Sequence, residues 1–229
     1  MIGLILGTLA GAAAAPVLRA AATRHAVPAG EPPRTCRCAR ARRWLPPTGR
    51  CPGCAELSGP PPLAVEVVAV GVGLAVGTAA SWPIGLLLAW VGLFGVVLAF
   101  VDAAVHRLPD ALTLPLAAGT AVLLLGTGFR HGDVLLRCLL AALVLGLVYW
   151  SLAALGPMGL GDAKLAPTLG ALLAWYGWRW VLDGAFAGFL LAACWGLALL
   201  LTRRARPKDP LPFGPCMLLG ALLTVLAAS

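Results

Sequence analysis

Eight long apolar segments separated by short polar breaks organise this 229-residue chain: Ile2 to Leu18, Leu63 to Ala80, Pro83 to Val101, Ala111 to Thr127, Val134 to Leu155, Ala163 to Tyr176, Val181 to Leu201 and Leu211 to Ala228. A segment that crosses the hydrocarbon needs about 20 mostly apolar residues as a helix, and backbone left unpaired in lipid is too costly to tolerate. The expected fold is therefore an all-α polytopic membrane protein with about eight transmembrane helices. Composition agrees: 60% of residues are hydrophobic, 11% are charged, and the mean hydropathy is +0.92, which excludes an ordinary water-soluble domain. The sixth segment, at roughly 14 residues and ~21 Å, is short for the membrane and is expected to be re-entrant or to thin the bilayer.

Lys and Arg mark cytoplasmic loops. Eight of the 17 lie between Arg19 and Arg50, and Arg107, Lys164 and the group Arg203, Arg204, Arg206 and Lys208 fall on the same side in this topology. Both termini are then outside, where Trp175, Tyr176, Trp178 and Trp180 form an interfacial aromatic cluster. The first segment reads as an uncleaved span rather than a secretory signal, because the positive charges follow it. The expected organisation is helix 1 over residues 1–18, a cytoplasmic loop over 19–62 and a seven-helix membrane core over 63–229. The net charge of +8 is mostly a topology signal, and no nucleic-acid partner is expected.

The loop carries Cys36-Arg-Cys38 and Cys51-Pro-Gly-Cys54. Two pairs twelve residues apart could supply four thiolates to a tetrahedral zinc as a degenerate knuckle; the alternative is four thiols in a loop without metal. Cys138, Cys194 and Cys216 sit inside apolar runs and read as packing residues.

Ionisable groups at membrane depth are functional hypotheses by default. Four acids qualify. Asp102 ends the third segment, Asp110 opens the fourth, Asp162 closes the turn Gly159-Leu160-Gly161-Asp162, and Glu66 lies one turn into the second. All four fall near the cytoplasmic boundary and are expected to converge in one pocket. Two carboxyl groups a few ångströms apart do not both ionise easily, which suits a general acid and a general base acting on one water. Gly159 and Gly161 lack Cβ atoms and would let the chain turn and a substrate approach. Asp110 follows Pro109 and reads first as a helix N-cap; Asp162 reads equally as an N-cap or as a catalyst. His106 is four residues beyond Asp102, and Lys164 could polarise a substrate carbonyl, tune Asp162 or snorkel to the surface.

These residues resemble those of the type IV prepilin peptidases, polytopic aspartyl peptidases with a GxGD motif. The resemblance runs through Asp102 with Leu108-Pro109-Asp110 and Leu112-Thr113, then Gly159-Leu160-Gly161-Asp162-Ala163-Lys164-Leu165, then Pro212-Phe213-Gly214-Pro215, with Pro62-Leu63 and Glu66 ahead of them. It implies Asp102 and Asp162 as the catalytic pair, with Gly159, Gly161, Lys164, Asp110 and Glu66 in support. It also implies a prepilin or pseudopilin substrate, its helix lying among the membrane lipids and its positively charged leader cut at the cytoplasmic face of a bacterial inner membrane. Many family members then N-methylate the new terminus with S-adenosylmethionine. Proteolysis itself needs no cofactor. The cysteine loop departs from the family's usual two C-x-x-C pairs. The rival readings are a transporter or channel using boundary carboxylates, and a membrane scaffold whose Arg- and Cys-rich loop recruits a partner.

Overall fold

The computed structural model describes residues 2–28, 31, 43–79, 84–129, 131–156, 158–204, 206 and 210–229. Their regular structure is helical: α1 (Ile2–His25), α2 (Ala64–Ala79), α3 (Ile84–Val105), α4 (Asp110–Gly128), α5 (Gly132–Leu155), α6 (Leu160–Ala174), α7 (Trp178–Leu201) and α8 (Gly214–Ala228). Among the described residues, β-type pairing is confined to one antiparallel bridge, Arg50 with Leu57. Helices α1, α3, α4, α5 and α7 have the length and apolarity to cross a membrane, α2 and α8 are apolar but shorter, and α6 has 15 residues. The chain is an all-α polytopic membrane protein. The largest departure from expectation is α1, which runs through Arg19 to His25 instead of stopping at Leu18.

The chain divides into two compact units, Met1–Val105 and His106–Ser229. In the first, α1 and α2 run antiparallel with backbones nearly touching. Gly3, Gly7 and Gly11 of α1 face Gly77, Gly73 and Ala69 of α2, and a Cβ added at Gly7 would land on the Gly73 carbonyl oxygen. Small residues at four-residue spacing permit this approach, and between membrane helices close packing replaces the hydrophobic effect as the source of adhesion. Helix α3 packs on both. The described part of the cysteine loop folds back onto these helices: the Leu45 N–H donates to the Pro16 carbonyl, the Leu63 N–H donates to the Pro47 carbonyl, and Leu45 and Cys51 are buried.

In the second unit α6 is the centre, in contact with α4, α5, α7 and α8. Ten of its 15 residues are buried, against four of 24 in α5 and four of 24 in α7. The short helix is thus wrapped by protein. The long ones present apolar side chains such as Leu147, Leu182 and Phe186 outward, as lipid-facing helices do.

Candidate active site

Within the first unit, Asp102 sits in the last turn of α3 and is 4% exposed. Val101 beside it is wholly buried, so the carboxyl group belongs to a packed face rather than to a frayed end. Glu66 in the first turn of α2 has a different fate. Arg19 of α1 grips it with two bonds, Nε to Oε1 at 2.8 Å and Nη2 to Oε2 at 2.5 Å. The guanidinium also donates to the carbonyls of Pro60, at 2.8 Å, and Pro61, at 3.0 Å. Arg19 is 0% exposed and Glu66 14%, so this is a desolvated fork-to-carboxylate pair whose spare donors are satisfied by backbone. The Glu66 carboxylate is committed to that anchor.

Within the second unit, Asp162 is the third residue of α6 and is 7% exposed. The N-cap is Gly159, with no side-chain cap bond, so Asp162 is a first-turn acid and not the cap. A negative charge is well placed there, facing the helix N-terminus. The two glycines act differently from expectation. Gly159 has φ −71° and ψ 141°, extended backbone that any residue adopts, and a Cβ there would lie 3.3 Å from an Asp162 carboxyl oxygen. Gly161 is a close-approach position: its missing Cβ would lie 3.0 Å from both the backbone nitrogen and Cβ of Leu108. The GxGD turn is therefore seated on the Leu108-Pro109-Asp110 stretch, joining two of the motifs that the sequence presents 50 residues apart.

A second tie joins the same segments. The Lys164 ammonium donates to Asp110 Oδ1 at 2.5 Å, with side chains 39% and 59% exposed. The expected N-cap role of Asp110 is replaced by this pair: Pro109 is the cap, Asp110 is the first helical residue, and no side-chain cap bond forms. His106 lies in the turn before α4 with φ +51°.

Sequence reasoning did not pick out Arg137 on α5. Its Nε donates to the Ala174 carbonyl at 2.7 Å and its Nη2 to the Trp175 carbonyl at 3.0 Å, at the far end of α6 from Asp162. It also did not pick out the ring cluster of Tyr149 on α5, Phe189 on α7 and Phe213 before α8, with centroids 5.1 to 6.3 Å apart. Phe213 makes the Pro212-Phe213-Gly214-Pro215 stretch a packing device that pins the start of α8. For Arg19 the available signal was an opposite charge at the facing end of the next helix; for Arg137 there was none.

Of the four cysteines expected to hold zinc, Cys36 and Cys38 lie outside the described residues. Cys51 is buried and Cys54 exposed, and the Gly53 N–H donates to Cys51 Sγ at 3.4 Å. No group of three or more metal-ligating side chains occurs among the described residues.

Residues 86–201 match the type IV leader peptidase family. The chain is 36% identical over 191 residues to the prepilin leader peptidase/N-methyltransferase of Aeromonas hydrophila, covering 80% of this chain and 64% of the relative. It is 33% identical over 184 residues to the protein of that name from Burkholderia pseudomallei strain K96243, covering 77% and 58%. Over 152 residues it is 33% identical to the Pseudomonas aeruginosa protein of the same name, covering 64% and 50%. The chain thus spans just under two thirds of the length of the first of these relatives. No solved structure matches it. The family match takes in Asp102, the Leu108-Pro109-Asp110 stretch, the GxGD turn and Lys164 across about half of the residues, and the chain belongs to the type IV leader peptidase family.

Proposed function

We propose that the chain is an intramembrane aspartyl endopeptidase that removes the leader of type IV prepilins or pseudopilins at the cytoplasmic face of a bacterial inner membrane, with Asp102 and Asp162 as its catalytic pair. One observation supports the pair beyond family membership. Among the described residues, Asp102 and Asp162 are the two buried acids, one in the last turn of α3 and one in the first turn of α6. Burying a carboxyl group at a helix end is costly, and functional sites are where such a cost is commonly kept.

In the proposed reaction the substrate's apolar helix lies in the bilayer and its leader in the cytoplasm. The ionised aspartate takes a proton from water as the oxygen attacks the scissile carbonyl. The protonated one donates to the carbonyl oxygen, and the leaving amine receives its proton as the tetrahedral intermediate collapses. Lys164, held by Asp110, fixes the first turn of α6 relative to α4. The transporter and channel alternative loses its support once the family is known.

The N-methyltransferase half of the relatives' name is a second, separable proposal for this chain, with S-adenosylmethionine as methyl donor. Zinc is a third. The Cys51–Cys54 turn, with an N–H already directed at one sulfur, fits one corner of a thiolate site that Cys36 and Cys38 would complete, and the metal would brace the loop.

The test is Asp102→Asn and Asp162→Asn in membranes, with a co-expressed prepilin and mass spectrometry of its N-terminus. Each variant is expected to lose processing by on the order of 10²-fold or more, as loss of a general acid or base does. Full processing by either one removes the reading.

A further inference from the structure

We propose that Arg137 is a positioning residue that sets the axial register of α6, and through it the depth at which Asp162 meets the scissile bond; this rests on Asp162 being catalytic. Helix α6 has 15 residues, about 22 Å, beside the 24 residues, about 36 Å, of α5. Its last residue, Ala174, is bonded by the sixth residue of α5, so α6 stops beside the body of its neighbour and not at its end. The final carbonyls of a helix have no partners within it, and in an apolar surround they must find donors. The turn that follows supplies some: the N–H groups of Trp175, Tyr176 and Gly177 donate to Leu172, Leu173 and Ala174. Arg137 adds a second bond to Ala174 and takes the Trp175 carbonyl.

What makes this contact a register device is the interface around it. Where α5 and α6 cross closely, a Cβ at Gly170 would lie 2.8 Å from Leu145 Cδ1 and 2.9 Å from the Ala141 carbonyl oxygen, so the helices meet with no room to spare. Arg137 contributes two directional bonds to fixed carbonyls one turn beyond it, and Pro167, seated against Gly146, braces the helix between Arg137 and Asp162. Asp162 is twelve residues, about 18 Å, up the same rod. A shift at one end is therefore delivered to the other, and a misplacement of about 1 Å at a reacting group costs on the order of 10²-fold.

The test uses the full chain reconstituted with a prepilin and with a version of it in which the cut junction is moved by one residue. For Arg137→Ala, kcat on the native junction is expected to fall while KM holds, and the ratio of native to displaced cutting to move by about tenfold toward the displaced site. Arg137→Lys, which keeps the cation but not the fork, should fall between. Hydrogen exchange read on the same proteins should quicken across residues 160–165 as well as 171–177. A ratio unchanged from the parent chain, or exchange altered at 171–177 alone, overturns the proposal and leaves Arg137 as a local cap. If the alanine variant does not accumulate, the lysine variant's ratio and exchange decide in the same way. Failure of the unaltered chain to cut either substrate would instead count against the peptidase reading, and the exchange pattern would still judge Arg137.

Discussion

Each unit holds one prominent cation–carboxylate pair, and the two pairs are built on opposite principles. Arg19–Glu66 is enclosed, bidentate, and completed by two backbone carbonyls, so each of the three guanidinium nitrogens has a target. Lys164–Asp110 is a single contact between side chains that remain well exposed. The first fastens α1 to α2 beside a helix interface with no room for a methyl group. The second joins two helix beginnings next to the GxGD turn, where water can screen it. The contrast separates an enclosed pair that holds two membrane helices together from an exposed pair that water screens, although both look alike as letters near the end of an apolar run.

The largest effect should come from opening the enclosed pair. Arg19→Ala leaves Glu66 partly buried without its cation, and breaking such a pair costs about 3–5 kcal/mol. Unfolding in mixed micelles should show that loss, and the double variant with Glu66→Ala should recover part of it. A cost under about 1 kcal/mol, the level of a surface pair, would contradict the enclosed geometry.

Next in size is the glycine contact. Gly7→Ala places a methyl group against the backbone of α2 at Gly73, which has no flexible end to yield, and overpacking of this sort costs about 1–3 kcal/mol. The internal control lies on α2 itself: a Cβ at Gly71 meets nothing within 4 Å, so Gly71→Ala should be neutral or stabilising by about 0.5–1 kcal/mol. Equal responses in the same unfolding assay would mean that α1 and α2 do not meet along this stripe.

Most of the fold was legible because lipid leaves few options. Apolar runs had to be helices, and seven of the eight begin and end within a few residues of where hydropathy changes. The exception is instructive. The first helix was expected to stop at Leu18 because Arg19 looked like the charge that ends a span; folded, Arg19 is neutralised by Glu66, 47 positions away, and the helix continues for about two more turns. Asp102 and Asp162 were legible as isolated acids at segment ends. The contacts made within the second unit were not, since Leu108 seating Gly161, Arg137 reaching Ala174 and the Tyr149–Phe189–Phe213 contacts are all non-local and carry no periodicity. Gly161 and Asp110 were assigned local roles, turn freedom and capping, because local geometry is what a string of residues offers; the structure uses both for contact.

The smallest effect is expected at the exposed pair, and it sharpens the comparison most. Lys164→Ala and Asp110→Asn should each change stability by no more than about 1 kcal/mol, since two long, solvated side chains gain little Coulomb energy and lose rotamer freedom when they meet. Salt supplies the discriminating variable. At about 1 M, where the screening length is ~3 Å, the coupling measured by a double-mutant cycle between Lys164 and Asp110 should disappear, while the coupling between Arg19 and Glu66, shielded from ions by protein, should persist. If both couplings fall together, burial is not what distinguishes the two pairs, and the Arg19 fork would have to be as open to solvent as the Lys164 ammonium.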